Sequence, residues 1–270
     1  MSRIITILSA LALMVLAACA GGQRAVVTPG GVSGMPNVFP GSRVPQLGDY
    51  APHPWIGGHP YHHAVHGIDI SRWQGNIDWN RVRSSGVSFV YLKATEGGDH
   101  ADPEFPGYWR EAGRARIPRG AYHYYYFCRT GAEQAAWFIR NVPREAGSMP
   151  PVLDLEWTNS RTCPRRPGSA EILREANIFL DIVERHYGQR PIIYTTVDFY
   201  RDTAVRQLRA EFWLRSVAGH PSTVYPGQRW TFWQYTGTGA VPGIRGNTDI
   251  NAFAGSARDW HAWLTRRMIR

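Results

Sequence analysis

From about residue 66 onward, the hydrophobic positions of the chain form short runs separated by longer amphipathic segments. Each short run has the length and composition of a β-strand, and in the longer segments the apolar residues recur at helical spacing. Eight runs are predicted to be strands: 67–71, 89–95, 120–127, 152–157, 191–196, 211–217, 230–236 and 248–251. Four segments are predicted to be helices: 77–85, 103–116, 132–141 and 169–187. Strands that alternate with helices indicate parallel βαβ units, and eight strands in roughly 200 residues indicate an α/β barrel.

The last connections of this predicted barrel are short. Only about a dozen residues separate the sixth strand from the seventh, and the seventh from the eighth, which is little room for an outer helix of ordinary length. We therefore expect an irregular barrel in which some of the outer helices are missing.

The N-terminus has the pattern of an export signal. A short basic start is followed by an apolar run over residues 4–18, which is too short to span a bilayer comfortably and is typical of a secretory signal peptide. The run ends in Leu16-Ala17-Ala18-Cys19, which resembles the bacterial lipoprotein cleavage box, in which the cysteine carries the lipid. Ordinary cleavage near Ala18 beside an incidental cysteine is the alternative. In a Gram-negative host, Ala20 after the cysteine would fit an outer-membrane anchor that faces the periplasm.

Residues 19–65 are predicted to be a flexible tether between the lipidated cysteine and a barrel domain that spans 66–270. This segment is rich in Gly, Pro and His and has no sustained periodicity, as expected for a linker. Five of the ten histidines fall between residues 53 and 66, but no cysteine or carboxylate stands among them to complete a ligand set. We therefore expect a polar linker rather than a metal site, and no cofactor.

The charge of the chain favours anionic partners. Its formal net charge is +9 and its pI is about 9.8, which suits a membrane surface or an acidic wall polymer. The positive residues are spread along the chain rather than clustered, which argues against a nucleic-acid partner. Lys93 is the only lysine.

Two acids lie close together in the apolar stretch "PPVLDLEW", at Asp154 and Glu156. On a strand, residues i and i+2 point to the same face, so both carboxylates project together. Burial of an unpartnered carboxylate is costly or raises its pKa. The stretch is therefore either an exposed edge strand or an acid pair in a cleft.

The barrel architecture favours the cleft, because functional residues of such barrels gather at the C-terminal ends of the strands. Acids stand at the ends of the first and last predicted strands as well as the fourth. Apart from Asp154 and Glu156 on the fourth strand, the polar or aromatic residues at the strand ends are Asp69, Lys93, Glu96, His123, Tyr125, Tyr194, Trp233, Gln234 and Asp249.

The same positions carry a family resemblance. The ordered motifs are Gly67-Ile68-Asp69-Ile70-Ser71, Trp73-Gln74-Gly75, Lys93-Ala94-Thr95-Glu96-Gly97, Gly120-Ala121-Tyr122-His123-Tyr124, Asp154-Leu155-Glu156, Trp233-Gln234-Tyr235-Thr236, Val241-Pro242-Gly243-Ile244 and Asp249-Ile250-Asn251. Together, from about residue 66 to 264, they resemble the glycoside hydrolase family 25 lysozymes.

The resemblance implies an irregular TIM-like (β/α)5(β)3 barrel that cleaves the β-1,4 bond between N-acetylmuramic acid and N-acetylglucosamine in peptidoglycan. On the family pattern Glu156 matches the general acid and Asp154 its partner. Asp69 and Asp249 match the other acids of the cleft. Asp154 is expected to orient the acetamido group of the substrate, which would retain the anomeric configuration; inversion by a base-activated water is the alternative.

The substrate-binding residues are less strongly specified. Tyr125, Tyr194 and Trp233 are predicted either to stack on sugars or to pack inside the barrel. Gln234, at the end of the seventh strand, joins them as a candidate. Lys93 and Glu96 are candidates at the end of the second strand, where Lys93 is expected to pair with acids of the cleft. His123 is expected to be structural.

Two further features concern the rim of the predicted cleft. Cys128 and Cys163 follow the third and fourth strands, and in an exported chain they are predicted to form a disulfide. Arg215 stands on the sixth strand where the family more usually has a smaller residue, which predicts an altered rim or altered tolerance of sugar modifications.

The leading hypothesis is a monomeric, lipid-anchored muramidase. One alternative is a catalytically silent wall-binding lipoprotein, although all four candidate acids are present. Another is a barrel hydrolase of different N-acetylated glycans.

Overall fold

A computed structural model describes residue 45 and residues 47–158, 160–217 and 219–270. The predicted signal peptide 1–18 and the predicted lipidation site Cys19 lie outside the described residues. The strands are β1 (Gly48–Asp49), β2 (His66–Ile70), β3 (Val90–Glu96), β4 (His100–Ala101), β5 (Arg119–Tyr124), β6 (Val152–Leu155), β7 (Ile192–Thr195), β8 (Phe212–Arg215), β9 (Phe232–Ala240) and β10 (Thr248–Phe253). The α-helices are α1 (Trp79–Ser84), α2 (Phe105–Arg114), α3 (Gly131–Asn141), α4 (Ser169–Tyr187), α5 (Val197–Asp202), α6 (Pro221–Val224) and α7 (Ala257–Arg267).

Eight of these strands close into a barrel. The strands β2, β3, β5, β6, β7, β8 and β9 pair in that order and run parallel. Strand β10 is antiparallel to both of its neighbours, β9 and β2, and so closes the barrel. The predicted α/β barrel is confirmed, and each of the eight predicted strands overlaps an observed one. Helices α1 to α5 lie in the first five connections, whereas α6, between β8 and β9, has only four residues.

The side chains of each strand alternate between two apolar layers. The outward residues, such as Ile68, Leu92 and Leu153, pack under the helices in one large core. A second core fills the end of the barrel opposite the carboxyl ends of the parallel strands, where aromatic side chains such as Phe89 and Tyr91 pack with α7. Because the barrel is plugged at that end, its polar inward residues collect at the other end.

Two inward-facing glycines make room for this aromatic plug. A Cβ atom at Gly67 would lie 2.4 Å from the ring of Phe89, and one at Gly120 would lie 2.3 Å from the ring of Tyr91. Each ring thus occupies the volume that a neighbouring side chain would need, and a larger residue at either glycine would displace it.

The chain joins the barrel earlier than predicted. Strand β1 pairs antiparallel with β9, and the ring of Trp55 packs edge-on against Trp233 and Tyr235 at centroid distances of 5.6 and 5.9 Å. The predicted tether therefore includes residues 47–65 that contact the barrel. Isolated aromatic anchors within a Gly/Pro/His-rich loop hold this segment, and such anchors leave no periodic signal in the sequence.

Among the helices of the described residues, none is both long and apolar enough to cross a bilayer.

Candidate active site

A cleft of about 660 Å³ opens where the parallel strands of the barrel end. Its lining combines carboxylates with aromatic side chains and three cations. The four predicted acids, Asp69, Asp154, Glu156 and Asp249, all line it. The structure therefore brings together acids that are separated by up to 180 residues of sequence.

Strand geometry places these four carboxylates. Asp69 on β2 and Asp249 on β10 are directly paired across antiparallel strands, an arrangement that sets their Cβ atoms roughly 5 Å apart. Asp154 lies on β6, and Glu156 follows the end of the same strand on the same face. The pair in "PPVLDLEW" is thus an acid pair in a cleft rather than part of an exposed edge.

Side-chain amides hold Asp69 in a fixed orientation. Gln234 Nε2 donates to Asp69 Oδ2 at 3.0 Å, and Asn251 Nδ2 donates to the same oxygen at 2.8 Å. The amide oxygens accept in turn: Tyr194 OH donates to Gln234 Oε1 at 2.9 Å, and Trp213 Nε1 donates to Asn251 Oδ1 at 2.8 Å. Each amide thus donates a hydrogen bond through its nitrogen and accepts one through its oxygen. The carboxylate of Asp69 is therefore positioned by a buried hydrogen-bond network.

Asp154 has the opposite environment. Its side chain is only 7% exposed, and its Oδ1 atom has no hydrogen-bond partner among the described residues. A buried carboxyl oxygen without a partner is costly. The residue lines the cleft, although this oxygen itself is buried.

Burial raises the pKa of all four acids. It raises the pKa of Glu156 to about 7 and that of Asp69 to about 6. Burial and the negative charge of Glu156 raise the pKa of Asp154 well above its usual value, and burial and the charge of Asp69 do the same for Asp249. The guanidinium of Arg215 opposes these shifts at Asp69, Glu156 and Asp249. The site can therefore hold a carboxyl proton near neutral pH.

Lys93, the single lysine of the chain, forms an ion pair with Glu96. Lys93 lines the cleft, and its Nζ lies 2.6 Å from Glu96 Oε2 and 4.9 Å from the centroid of the Tyr124 ring. Glu96 also accepts a hydrogen bond from Tyr126 OH. Although burial opposes it, these hydrogen bonds lower the pKa of Glu96. Glu96 was predicted to bind substrate, but it is not among the residues that line the cleft, and the structure pairs it with Lys93.

Two of the predicted sugar-stacking residues lie outside the cleft. Tyr125 packs against Phe127 and Phe179 in the outer core, and the indole N–H of Trp233 donates to the backbone oxygen of Ser216 at 2.8 Å. Their placement at the cleft is wrong because neighbouring residues on a strand face opposite sides. Gln234 faces the cleft, so Trp233 must face outward.

The same alternation identifies residues that the sequence analysis missed. Tyr122 and Tyr124 line the cleft in place of Tyr125, and Trp213 lines it in place of Trp233. The spacing i, i+2 from Tyr122 to Tyr124 was the available signal. Exposed Trp73, at 76% of its surface, stands at the rim. Its position in the Trp73-Gln74-Gly75 motif gave no indication of this exposure.

Residue His123 is structural, as expected. It is fully buried and bonded through Nδ1 to Thr95 Oγ1 at 2.7 Å and through Nε2 to Gln134 Oε1 at 3.0 Å. Both ring nitrogens have protein partners on the outer face of β5, away from the cleft.

The predicted disulfide is present. Cys128 and Cys163 are bonded, with their Cα atoms 5.7 Å apart and a separation of 35 positions in sequence. The bond joins the loop after β5 to the loop after β6, which begins at Glu156. It therefore restrains one wall of the cleft.

Comparisons with known proteins agree with this geometry. Residues 68–244 match the model of the glycosyl hydrolases family 25. Lysozyme M1 of Streptomyces globisporus is 35% identical over 206 residues, which cover 72% of this chain and 69% of that protein. An uncharacterized protein of Escherichia coli K12, YegX, is 33% identical over 210 residues, covering 76% of this chain and 75% of that one. The structure of a family 25 glycosyl hydrolase from Bacillus anthracis aligns with a TM-score of 0.71 at 31% identity, covering 78% of this chain and 98% of that chain.

The family match includes three of the four predicted catalytic acids, Asp69, Asp154 and Glu156, and ends shortly before Asp249. The barrel, the cleft at its carboxyl end and the matched sequence thus coincide. The chain belongs to the glycosyl hydrolases of family 25.

Proposed function

We propose that this glycosyl hydrolase is a muramidase, which hydrolyses the β-1,4 bond between N-acetylmuramic acid and N-acetylglucosamine in peptidoglycan. The names of its relatives support this substrate, since they include Lysozyme M1 and an autolytic lysozyme of Clostridium acetobutylicum. The observation that carries the proposal is the partly buried carboxyl of Glu156 in the cleft, with a pKa raised to about 7.

Glu156 is the proton donor in this mechanism. A glycosidic oxygen leaves poorly as an alkoxide and needs a proton as the bond to C1 breaks. With its raised pKa, Glu156 is still protonated in a large share of molecules near neutral pH. It transfers this proton to the glycosidic oxygen, and the N-acetylglucosamine on the far side departs as an alcohol.

Asp154 supports the positive charge that develops on the muramoyl sugar. Its carboxylate, which lines the cleft, is the acceptor for the N–H of the 2-acetamido group, whose carbonyl oxygen then attacks C1 and forms a cyclic oxazolinium. The positive charge of this intermediate favours the ionised form of Asp154. The Glu156 carboxylate, having given up its proton, then takes a proton from water, which attacks C1 and opens the ring with retention of configuration. Direct attack of water with inversion is the alternative, and proton NMR of the first-formed anomer distinguishes the two.

Asp69 and Asp249 complete the acidic floor. Asp69 is positioned by Gln234 and Asn251, so we assign it to hydrogen bonding of the substrate and to electrostatic stabilisation of the oxocarbenium-like centre. Asp249, which pairs with it across the strands, adds to the same field. Tyr194 acts one step further away, because its hydroxyl is used to orient Gln234.

The aromatic residues that face the cleft stack on the sugar rings of the substrate in this proposal. The exposed ring of Trp73 and the half-buried ring of Tyr124 present surfaces to it. Lys93, paired with Glu96, holds the ring of Tyr124 from one side. Flat apolar faces of this kind match the apolar faces of pyranose rings.

The enzyme is further proposed to be exported and anchored by a lipid on Cys19, with the outer membrane as the site in a Gram-negative host. The support is the motif Leu16-Ala17-Ala18-Cys19 after an apolar run. Metabolic labelling with a radioactive fatty acid tests this: wild type should incorporate label and Cys19→Ser should not.

We also propose that the enzyme acts as a monomer. Sedimentation velocity of the protein without its lipid would check this.

Product analysis tests the proposed activity. Purified peptidoglycan is digested, reduced with borohydride and analysed by mass spectrometry. A muramidase leaves muramic acid at the new reducing end, whereas a glucosaminidase leaves N-acetylglucosamine there. No new reducing ends at all would indicate a silent wall-binding protein, and cleavage of chitin in place of peptidoglycan would indicate a different glycan.

A further inference from the structure

Three cations line the cleft, and two of them are already paired. Lys93 is bonded to Glu96, and Arg201 on α5 lies 2.9 Å from Asp202. The third, Arg215, ends β8 on the inward face. Within the described part of the chain, its guanidinium has no ion pair or hydrogen bond, and its backbone oxygen accepts a hydrogen bond from Tyr225 OH.

The position of Arg215 is set by the strands on either side. It is paired in register with Gln234 on β9, and its side chain lies on the same face of β8 as Trp213, one layer nearer the mouth. Its charge lowers the pKa of Glu156, Asp69 and Asp249. It is therefore close to the reacting centre without being bonded to any of these acids.

A guanidinium offers up to five N–H donors in a planar fork that matches a carboxylate. Half-buried and without a protein acceptor, this fork is available to a ligand. The acids that line the cleft do not satisfy it in the structure. Burial raises the pKa values of Asp69, Asp154, Glu156 and Asp249, so these four carry less negative charge near neutral pH than exposed acids would. The fifth acid of the lining, Asp198, is exposed. A carboxylate brought by the substrate can thus approach Arg215 in spite of its acidic surroundings.

The substrate has a carboxylate to offer at this place. Muramic acid carries a lactyl arm on O3, and the carboxyl of this arm is free in peptide-free strands. In peptide-bearing strands it is amide-linked, and the attached peptide supplies carboxylates of its own. Strand β8 is two strands away from β6, which carries the acid pair, so the distance between them is roughly 10 Å. One muramoyl ring and its lactyl arm can span this distance.

We infer that Arg215 forms a carboxylate subsite that binds the lactyl arm of muramic acid, or the first carboxylate of the peptide attached to it. This inference rests on the proposed muramidase activity. Arg215 is a specificity residue in this account: it selects charged muramoyl groups over neutral glycans and takes no part in the transfer of the proton.

The test compares matched substrates. One pair is peptide-free glycan strands with the lactyl carboxyl free or converted to its methyl amide. The second pair is peptide-bearing strands with the peptide carboxyls free or likewise amidated. Each is digested by wild type, Arg215→Ala, Arg215→Lys and the control Arg201→Ala, and kcat/KM is measured at one pH. The ratio within a pair cancels any change in the pKa of Glu156.

Wild type should prefer the free carboxyl by about tenfold or more, through KM, in one of the two pairs. The pair that shows the preference identifies the lactyl arm or the peptide as the source. Arg215→Ala should lose the preference while still cleaving the amidated strands, Arg215→Lys should keep part of it, and Arg201→Ala should keep all of it. Equal rates within both pairs for wild type, or a preference that survives in Arg215→Ala, would overturn the inference. Cleavage of amidated strands by wild type shows that the muramidase activity stands independently of that outcome.

Discussion

The side-chain amide of Asn251 donates a 2.8 Å hydrogen bond to Oδ2 of Asp69 and thereby ties β10 to β2 across the floor of the cleft. Asn251 in turn accepts a hydrogen bond from the indole N–H of Trp213. Both Asp69 and Trp213 therefore depend on one amide side chain, whose removal would leave a buried carboxylate and a buried indole N–H without these partners.

Replacing Asn251 with Ala should lower the free energy of unfolding by about 1–3 kcal/mol, because buried polar groups lose their partners. The loss should be greater at pH 8 than at pH 5, since Asp69, with a pKa raised to about 6, is ionised only at the higher pH and the bond to its ionised form is the stronger. Urea unfolding at the two pH values measures this. Asn141→Ala, which removes a bond to the neutral backbone oxygen of Trp137, is the control. An equal loss at both pH values would contradict the role given to Asn251.

The raised pKa of Glu156 should make its carboxyl a cost to stability above neutral pH. A buried acid whose pKa is raised from about 4.5 to about 7 binds its proton more tightly in the folded state. Stability is therefore lost as pH rises through this window. Glu156→Gln, which cannot ionise, should be more stable than wild type by about 1–3 kcal/mol at pH 8 and nearly equal to it at pH 4. Thermal unfolding across this range checks the sign, and a less stable variant at pH 8 would refute it.

The adjacent tyrosines Tyr124, which ends β5, and Tyr125, which follows it, should have separable functions. Tyr124 faces the cleft and Tyr125 faces the outer core. Tyr124→Leu should lower kcat/KM by about tenfold or more through lost contact with the substrate, with a small effect on stability. Tyr125→Leu should cost about 1–3 kcal/mol of stability with kcat/KM of the folded enzyme nearly unchanged. Activity per folded molecule and urea unfolding, measured on both variants, give the comparison; a reversal of the two patterns would show that the strand faces are misassigned.

Loss of the disulfide should loosen the wall of the cleft. For a bond that closes 35 residues, the chain-entropy model gives a loss of about 2–4 kcal/mol. Substituting Ser for both Cys128 and Cys163 should lower the melting temperature and also reduce kcat, since the loop after Glu156 is no longer fixed. Mass spectrometry of non-reduced peptides verifies the bond itself. Two free thiols in the exported wild-type protein would rule it out.

The sequence predicted the barrel well because its strands and long helices leave periodic signals. The bounds of α4, for example, agree with the predicted segment at both ends. Three of the four acids were recognisable for a related reason: Asp69, Asp154 and Glu156 lie at the carboxyl ends of parallel strands, where barrels place functional groups. Asp249 lies instead near the start of β10, which reaches the same mouth because this strand is antiparallel. Even the acid pair was identifiable, since Asp154 and Glu156 are two residues apart on one strand.

What the sequence did not predict depends on contacts between distant residues. Whether Tyr125 and Trp233 point into or out of the barrel depends on which residues of each strand face inward. The prediction from the sequence did not use a neighbouring inward residue to decide this. The bond from Asn251 to Asp69 spans 182 residues. The packing of Trp55 on β9 has no local signal either, because the anchor and its receptor lie far apart in the chain.

The most direct test of the central claim is the activity of Glu156→Gln on two substrates with the same glycone. On a muramoyl substrate with a natural sugar leaving group, kcat should fall by about 10²–10⁴, the usual contribution of a general acid. With an aryl leaving group of low pKa, which needs no proton, the variant should retain most of the wild-type rate. The control is Glu111→Gln, which replaces an exposed acid on α2 and should match wild type on both substrates. Full activity of Glu156→Gln on the natural substrate would contradict the assignment of Glu156 as the proton donor.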